Sequence, residues 1–203
     1  LEFALKFHDE TFAEDGKTFV ATYMESTTGD TNTLNYVNLN SSSKQITWGD
    51  FACEQYGDAS VSFKEINDSY DVITIDYVVS HVTDSGETEY YNVEEYFRLR
   101  PTDTRMYVLN YERTMNQIFN SENSFVKDSS NIMLGIRDGS VEYKTNEAEN
   151  VVGFVQQGDL FSYNQTSNEL TKIFSFRSPE GIDIRENWNQ HDIKIVSVDE
   201  AGS

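Results

Sequence analysis

The sequence predicts a mostly-β fold of antiparallel sheets, sandwich-like or partly propeller-like, with one or two short helices. The main observation is a pair of alternating apolar and polar runs, Tyr70 to Val82 and Thr88 to Leu99, joined by the turn residues 84–87. A period of two is typical of half-buried strands, and a turn of Asp, Ser and Gly between two such runs indicates a hairpin. The apolar face of the first run consists of Ile73, Ile75, Tyr77 and Val79.

Composition and turn spacing support the same fold class. Among the 203 residues are 13 Phe and 12 Tyr, and aromatic and β-branched residues favour strands. Short apolar runs alternate with polar turns, which is typical of antiparallel sheets, sandwiches and barrels. A chain of this length can bury one good core or two small ones.

Most elements of the first part of the chain are predicted to be strands. Residues 2–8 form a short apolar start with Phe3, Leu5 and Phe7 on one side, and residues 18–25 alternate as a strand. Further strands are predicted before the long hairpin, at 34–39, 45–48 and 60–66.

Two helices are predicted. One is a single turn at Phe51 to Tyr56, and the other spans Glu112 to Phe119. In the second, three apolar residues share a helical face at i, i+3, i+4 spacing, namely Met115, Ile118 and Phe119.

The chain is predicted to divide near residue 120. Residues 1–120 form an antiparallel β region that contains the long hairpin 70–99, and residues 121–203 form a smaller region of blade-like hairpins. The two regions either share one core or have one each. The short strands of the second region are predicted at 132–136, 140–143, 151–155, 159–163, 170–176 and 192–198.

Part of the second region resembles a β-propeller blade. Residues 152–164 and 170–174 give a buried strand, a Gly turn, a strand ending in Tyr163 and a polar turn, the order repeated in TolB-type and WD40-like propellers. The resemblance covers about residues 131–178. Since a propeller needs at least about four blades of roughly 40 residues, and residues 1–130 contain no second copy, the chain is not a complete propeller by itself.

The whole chain is also similar to extracytoplasmic segments of uncharacterised, membrane-anchored proteins of anaerobic Gram-positive bacteria. The similarity implies a location outside the cytoplasm, with a tether to the cell surface in a segment absent from this chain. No apolar run approaches the length of a membrane span, so we expect no direct membrane insertion by this segment.

Charge and cysteine content restrict the partners. Asp and Glu number 35 against 15 Lys and Arg, a net charge of −20, which argues against nucleic acid because phosphate backbones are bound by clustered basic residues. Anionic membrane surfaces are disfavoured for the same reason. Cys53 is the single cysteine, so an intrachain disulfide is excluded, and we interpret it as a small buried side chain.

No catalytic or metal-binding motif is present in the sequence. His8, His81 and His191 are scattered and lack the spacing of a zinc site. The nucleophile elbow Gly-x-Ser-x-Gly and the phosphate-binding glycine loop are also missing. We therefore predict no catalytic residue, no metal ligand and no cofactor. A calcium ion bound by the acid-rich loops 9–16 or 29–32 stays an open alternative, although neither loop has EF-hand spacing.

The aromatic residues provide the one candidate site. Trp48 and Trp188 are the candidate ligand-binding residues, and with Tyr90, Tyr91 and Tyr96 they could form a stacking platform for sugar rings. The competing interpretation is that these rings are core residues and cross-strand pairs.

Three functions follow as hypotheses. The first is a non-enzymatic binding or interaction module of a larger bacterial surface protein, with a protein or carbohydrate ligand. The second is a hydrolase of carbohydrate or peptide, which requires two carboxylates about 5–10 Å apart in a cleft, one of them with a raised pKa. The third is a structural spacer, which requires a large exposed apolar patch.

Overall fold

The computed structural model describes residues 1–25, 33–120, 131–135, 141–178, 186 and 191–200, and the backbone of 126–128. The chain divides into an N-terminal unit, Leu1–Asn116, and a C-terminal unit, Gln117–Ser203. The mostly-β prediction is confirmed, because the two largest sheets have five and four strands and every strand pairing observed in them is antiparallel.

The N-terminal unit combines three helices with the five-stranded sheet, whose strand order is β1-β5-β4-β3-β2. The helices are α1 (Glu2–Phe12), α2 (Gly16–Ala21) and α3 (Ser43–Ile46). The strands are β1 (Tyr36–Asn38), β2 (Cys53–Ile66), β3 (Asp71–Val82), β4 (Thr88–Pro101) and β5 (Met106–Ile118).

The predicted hairpin is present as β3 and β4. The two strands pair without interruption from Asp71 opposite Leu99 to Val82 opposite Thr88. The apolar face of β3 is buried in the core, as the alternation predicts, and it comprises Ile73, Ile75, Tyr77 and Val79.

The core of the N-terminal unit lies between the helices and one face of the sheet. From α1, Phe7 packs against the sheet residues Phe97 and Tyr111, with ring centroids 5.5 and 5.1 Å apart. Fully burying an aromatic ring stabilises a fold by about 1.5–3 kcal/mol, so this aromatic contact is a main attachment of α1 to the sheet.

The strand predicted at 18–25 is wrong, because the helix α2 extends to Ala21, and the apolar start at 2–8 belongs to the helix α1. The buried residues of α1 are Ala4, Phe7, His8 and Thr11, which follow the 3.6-residue period of a helix. Because His8 and Thr11 are polar, the apolar residues Phe3, Leu5 and Phe7 stand out in the sequence. They suggest the period of two of a strand, which is misleading here. The short strand predicted at 45–48 is also wrong, since α3 begins at Ser43 with a capping box between Ser42 and Gln45.

Both predicted helices are wrong as well. The segment Phe51 to Tyr56 leads into β2, which begins at Cys53, and Glu112 to Phe119 belongs mainly to β5. In β5 the core-facing residues Tyr111, Arg113 and Met115 alternate with period two. Because the middle residue is an arginine, the alternation is hidden in the sequence.

The C-terminal unit contains the four-stranded sheet in the order β11-β10-β9-β8, and a two-stranded sheet of β6 and β7. Its core cluster consists of Phe119, Phe154, Phe161 and Tyr163. The strand predicted at 192–198 is wrong, because residues 191–200 are in irregular structure. Residues 136–140 of the predicted strands lie outside the described residues.

The strands of the C-terminal unit are β6 (Val126–Asp128), β7 (Asn131–Ile132), β8 (Tyr143–Thr145), β9 (Val151–Gln156), β10 (Asp159–Asn164) and β11 (Glu169–Ser175).

Across the described ranges, we find no helix that is both long enough and apolar enough to cross a bilayer.

Candidate ligand-binding site

The N-terminal unit contains a cleft of about 220 Å³ at the C-terminal end of α1. Its other walls come from the start of α2 and from the segment that connects α3 to β2. Three aromatic side chains line it, from Phe12, Trp48 and Phe51. The cleft is therefore a concave site with an aromatic lining.

The structure places the predicted ligand-binding residue Trp48 in the wall of this cleft, where it is contacted from several sides. Trp48 is 4% exposed, and the guanidinium of Arg113 lies 3.5 Å from the centre of its ring. The ring of Phe12 lies 5.4 Å away. Cation–π stacking and aromatic contacts of this kind fix the orientation of an indole.

The backbone at Trp48 is in an unusual conformation. After α3 the chain turns through two left-handed residues, Trp48 with φ 65° and Gly49 with φ 63°, and the Gly49 amide donates to the Lys44 carbonyl at 2.7 Å. A left-handed conformation is uncommon for a bulky side chain and costs about 1–2 kcal/mol. Strained residues of this kind concentrate at functional sites.

Arg113 couples the sheet to the wall of the cleft. It is fully buried, and its Nη1 and Nη2 donate to the carbonyls of Ile46 and Gln45 at 2.7 and 3.1 Å. These carbonyls belong to the C-terminal end of α3, where a cation is favourable. Arg113 thus anchors α3 to β5 and supports the indole from behind.

A buried polar network ties α1 to the sheet. The Nδ1 of His8 lies 2.9 Å from Glu95 Oε2, and its Nε2 lies 2.9 Å from Gln55 Oε1. The hydroxyl of Tyr111 donates to the other oxygen of Glu95 at 2.9 Å. His8 and Glu95 are 3% and 0% exposed, so the network stabilises the position of α1 rather than contacting solvent.

The geometry requires His8 to be doubly protonated. The Gln55 amide donates its Nε2 to the Gly57 carbonyl at 3.0 Å, so the amide oxygen faces His8 and can only accept. Both ring nitrogens of His8 therefore face acceptors. Burial disfavours the imidazolium, but the hydrogen bonds and the charge of Glu95 outweigh it and raise the pKa of His8 above 6.5.

Cys53 also lines the cleft. Burial, which outweighs the attraction of Arg113, raises the pKa of its thiol to about 12. A thiol with such a pKa stays protonated at neutral pH and lacks the reactivity of a thiolate. This cysteine is therefore a wall residue of the cleft and is not activated as a nucleophile.

In the described part of the chain, the lining of the cleft does not bring two carboxylates together. Glu14 is the one carboxylate among the described residues that line the cleft. A facing pair of carboxyl groups, Asp76 on β3 and Glu94 on β4, lies on the face of the sheet opposite the helices. Burial, followed by the charge of Glu94, raises the pKa of Asp76 to about 6. The pair is thus separate from the cleft.

The other aromatic residues of the predicted platform do not gather around Trp48. Tyr91 is buried on the helix-covered face, with its ring 5.4 Å from Phe51. Tyr90 and Tyr96 alternate with it along β4 and lie on the opposite face. Trp188 lies outside the described residues. Among the described parts of the chain, no group of three or more His, Cys, Asp or Glu side chains could hold a metal ion.

Sequence reasoning missed Phe12, Phe51 and Arg113. Phe12 belongs to a helix that the apolar pattern concealed, and Phe51 was assigned to a helical turn. One pattern in the sequence could have identified Arg113. It lies between Tyr111 and Met115, and the buried and exposed positions of this strand alternate if the arginine is counted as a core residue.

Comparison of the chain with protein-family models, curated proteins and solved structures gives no significant match.

Proposed function

We propose that the chain is a non-enzymatic binding module of a larger bacterial surface protein, located outside the cytoplasm, and that its ligand site is the cleft beside Trp48. The observation that carries the proposal is the buried, left-handed Trp48 in the wall of a concave site. Such a conformation persists only where surrounding contacts enforce it, and here Arg113 and Phe12 provide those contacts.

The volume of the cleft limits what it can hold. Pockets for drug-sized ligands measure about 300–1,000 Å³, and this cleft measures about 220 Å³. It therefore suits one sugar ring or one side chain of a larger carbohydrate or protein ligand. The rest of such a ligand would lie on the surface outside the cleft.

The lining includes hydrogen-bond acceptors for a ligand as well as the donor residues Lys17 and Trp48. The hydroxyls of Thr11 and Thr47 donate to the carbonyls of His8 and Ser43 at 2.8 and 3.0 Å. Their oxygens are then left to accept. Sugar hydroxyls and peptide amides are both suitable donors, in agreement with the two ligand classes expected from the sequence.

Tryptophan fluorescence tests the proposal. With Trp188→Phe, Trp48 is the single tryptophan of the chain, and we expect its emission to change saturably with phenylalanine amide or with a monosaccharide such as methyl glucoside. Ala13 is exposed and lines the cleft, whereas Ala21 is exposed at the end of α2. Ala13→Phe should abolish the change and Ala21→Phe should preserve it. Equal responses in both variants would contradict the proposal.

A further inference from the structure

The cleft adjoins an open edge of the five-stranded sheet. The outermost strand is β2, which spans 14 residues and pairs with β3 on one side. On its other side, no strand of the described part of the chain pairs with it. Cys53 is both the first residue of this strand and part of the cleft lining.

The open edge has one regular stretch next to the cleft. The register of β2 shifts between Tyr56 and Ser60, where Gly57 has φ 75°, and again between Phe63 and Glu65. Bulges limit pairing at an edge, so the four residues from Cys53 to Tyr56 form the stretch beside the cleft that is open to a partner strand. The opposite edge strand, β1, has only 3 residues.

The charge of this edge indicates which kind of partner strand can bind there. The strand carries the exposed acids Glu54, Asp58 and Glu65, and one exposed base, Lys64. A second copy of the chain would bring the same acids to the interface, together with a net charge of −20. Like charges across an interface cost affinity, and opposite charges promote association, so a basic occupant is favoured.

We propose that the ligand is an extended peptide of basic character that adds as a strand along Cys53 to Tyr56 and inserts one apolar side chain into the cleft. In this mode of recognition the main-chain hydrogen bonds provide affinity and the pocket provides specificity. The inference rests on the proposed function in that it uses the same cleft, but it adds the ligand class and a second contact surface.

The alternation of side chains in β2 defines the expected ligand pattern. The register places Cys53 and Gln55 opposite His81 and Val79, on the helix-covered face, and leaves Glu54 and Tyr56 on the other face. Directly opposite residues of paired strands point to the same face. The peptide should therefore alternate an apolar residue, directed at the cleft, with Lys or Arg, directed at Glu54.

Selection from a display library of random nine-residue peptides, carried out on the full chain, tests the inference. We expect enriched peptides with net positive charge and a large apolar residue flanked by basic ones. The best binder is then synthesised in two forms, each N-methylated at alternate residues. Since only every second amide of an added strand faces the edge, one form should lose binding and the other should retain it.

Charge variants provide the second test. Glu54→Lys should weaken binding of the selected peptide by about fivefold to tenfold at low salt, and by less at high salt, because the contact is electrostatic. Asp103→Lys, a matched reversal at an exposed position of the turn between β4 and β5, should leave the affinity unchanged.

The outcomes separate this inference from the proposed function. If no peptide is enriched, if the enriched peptides are acidic, if both N-methylated forms bind equally, or if the chain dimerises through β2, the inference is overturned. The cleft as a ligand site would still stand if Ala13→Phe abolished binding of the small probes. Conversely, if Ala13→Phe left all probes bound while one N-methylated form failed, strand addition would stand and the cleft would be refuted.

Discussion

At the scale of single residues, the N-terminal unit depends on charged groups that are removed from water. His8, Glu95 and Arg113 are each at most 3% exposed, and each has hydrogen-bond partners in the core. Breaking a buried pair by removing one partner costs about 3–5 kcal/mol, because the remaining charge is left uncompensated. These residues therefore fix how α1 and α3 sit on the sheet.

Replacing His8 should destabilise the protein in a pH-dependent way. Because its folded-state pKa is raised, the stabilisation by His8 is complete below its unfolded pKa of about 6.5 and is lost as the pH rises through the raised value. We expect His8→Gln to lower the free energy of unfolding by about 3–5 kcal/mol at pH 6, and by less at pH 9. Urea denaturation at a series of pH values measures the difference.

His81→Gln is the control for this experiment. The His81 ring bonds the backbone carbonyl of Ala52 at 2.7 Å rather than a carboxylate, so a smaller cost is expected. Equal losses for His8→Gln at pH 6 and pH 9 would show that the imidazolium does not stabilise α1.

Individual site residues were predictable only where the residue type itself is informative. The sequence predicts Trp48 as a candidate because a tryptophan is large, amphipathic and rare, and its role in binding stays a prediction. His8 and Glu95 are 87 positions apart in the chain, and neither has a local motif. Their partnership is created by the packing of α1 on β4, which no spacing in the sequence encodes.

At the scale of elements, the corner between α1 and α2 is set by close backbone contact. Gly16 begins α2, and a Cβ at this position would lie 1.7 Å from the Glu10 carbonyl oxygen. No side chain fits there without moving one of the two helices. The corner in turn positions Phe12 and Lys17, which line the cleft.

Gly16→Ala should therefore destabilise the N-terminal unit and weaken ligand binding. Forcing a methyl group against backbone typically costs about 1–3 kcal/mol, and we expect the upper end of that range in thermal or urea unfolding. Gly86→Ala serves as the comparison, since Gly86 has φ 86° but open space around it. It should cost about 1–2 kcal/mol and leave the cleft unaffected. The reverse order of costs would contradict the steric explanation.

Elements were predictable where most core positions are apolar. The strands β3 and β4 show their alternation clearly, although Glu95 lies among the apolar core residues of β4, and the pairing follows from it. In α1 the buried His8 and Thr11 obscure the helical period, and in β5 the buried Arg113 obscures the period of two. In these two elements the predictions fail where buried polar residues replace apolar ones, and Arg113 is also a residue that shapes the candidate site.

At the scale of the whole molecule, the described residues form two core clusters. One is built around Ile75, Tyr77 and Phe97 in the N-terminal unit, and the other around Phe154 and Phe161 in the C-terminal unit. Units with their own cores can unfold separately. The sequence indicated room for one core or two, but the choice depends on contacts distant in the chain.

Calorimetry should show two unfolding transitions that respond to different substitutions. Ile75→Ala should lower the midpoint of one transition, and Phe161→Ala that of the other, because each creates a cavity in one core at a cost of about 2–5 kcal/mol. The substitution Ile173→Ala, at a side chain that is half exposed, is a control that should shift neither midpoint by much. A single transition lowered by both core substitutions would show that the chain unfolds as one cooperative unit.

The facing carboxyl groups of Asp76 and Glu94 affect how the stability of the protein depends on pH. Because burial and the charge of Glu94 raise the pKa of Asp76 to about 6, the Asp76 carboxyl is ionised at neutrality, and like charges directly opposite each other on paired strands are destabilising. Mild acidification places a proton between the two carboxyl groups and relieves their repulsion, while His8 keeps its positive charge. Both effects have the same sign, so His8 and Asp76 should contribute more to stability in slightly acidic solution than at neutral pH, and the sheet face that carries Asp76 should take up a proton on acidification.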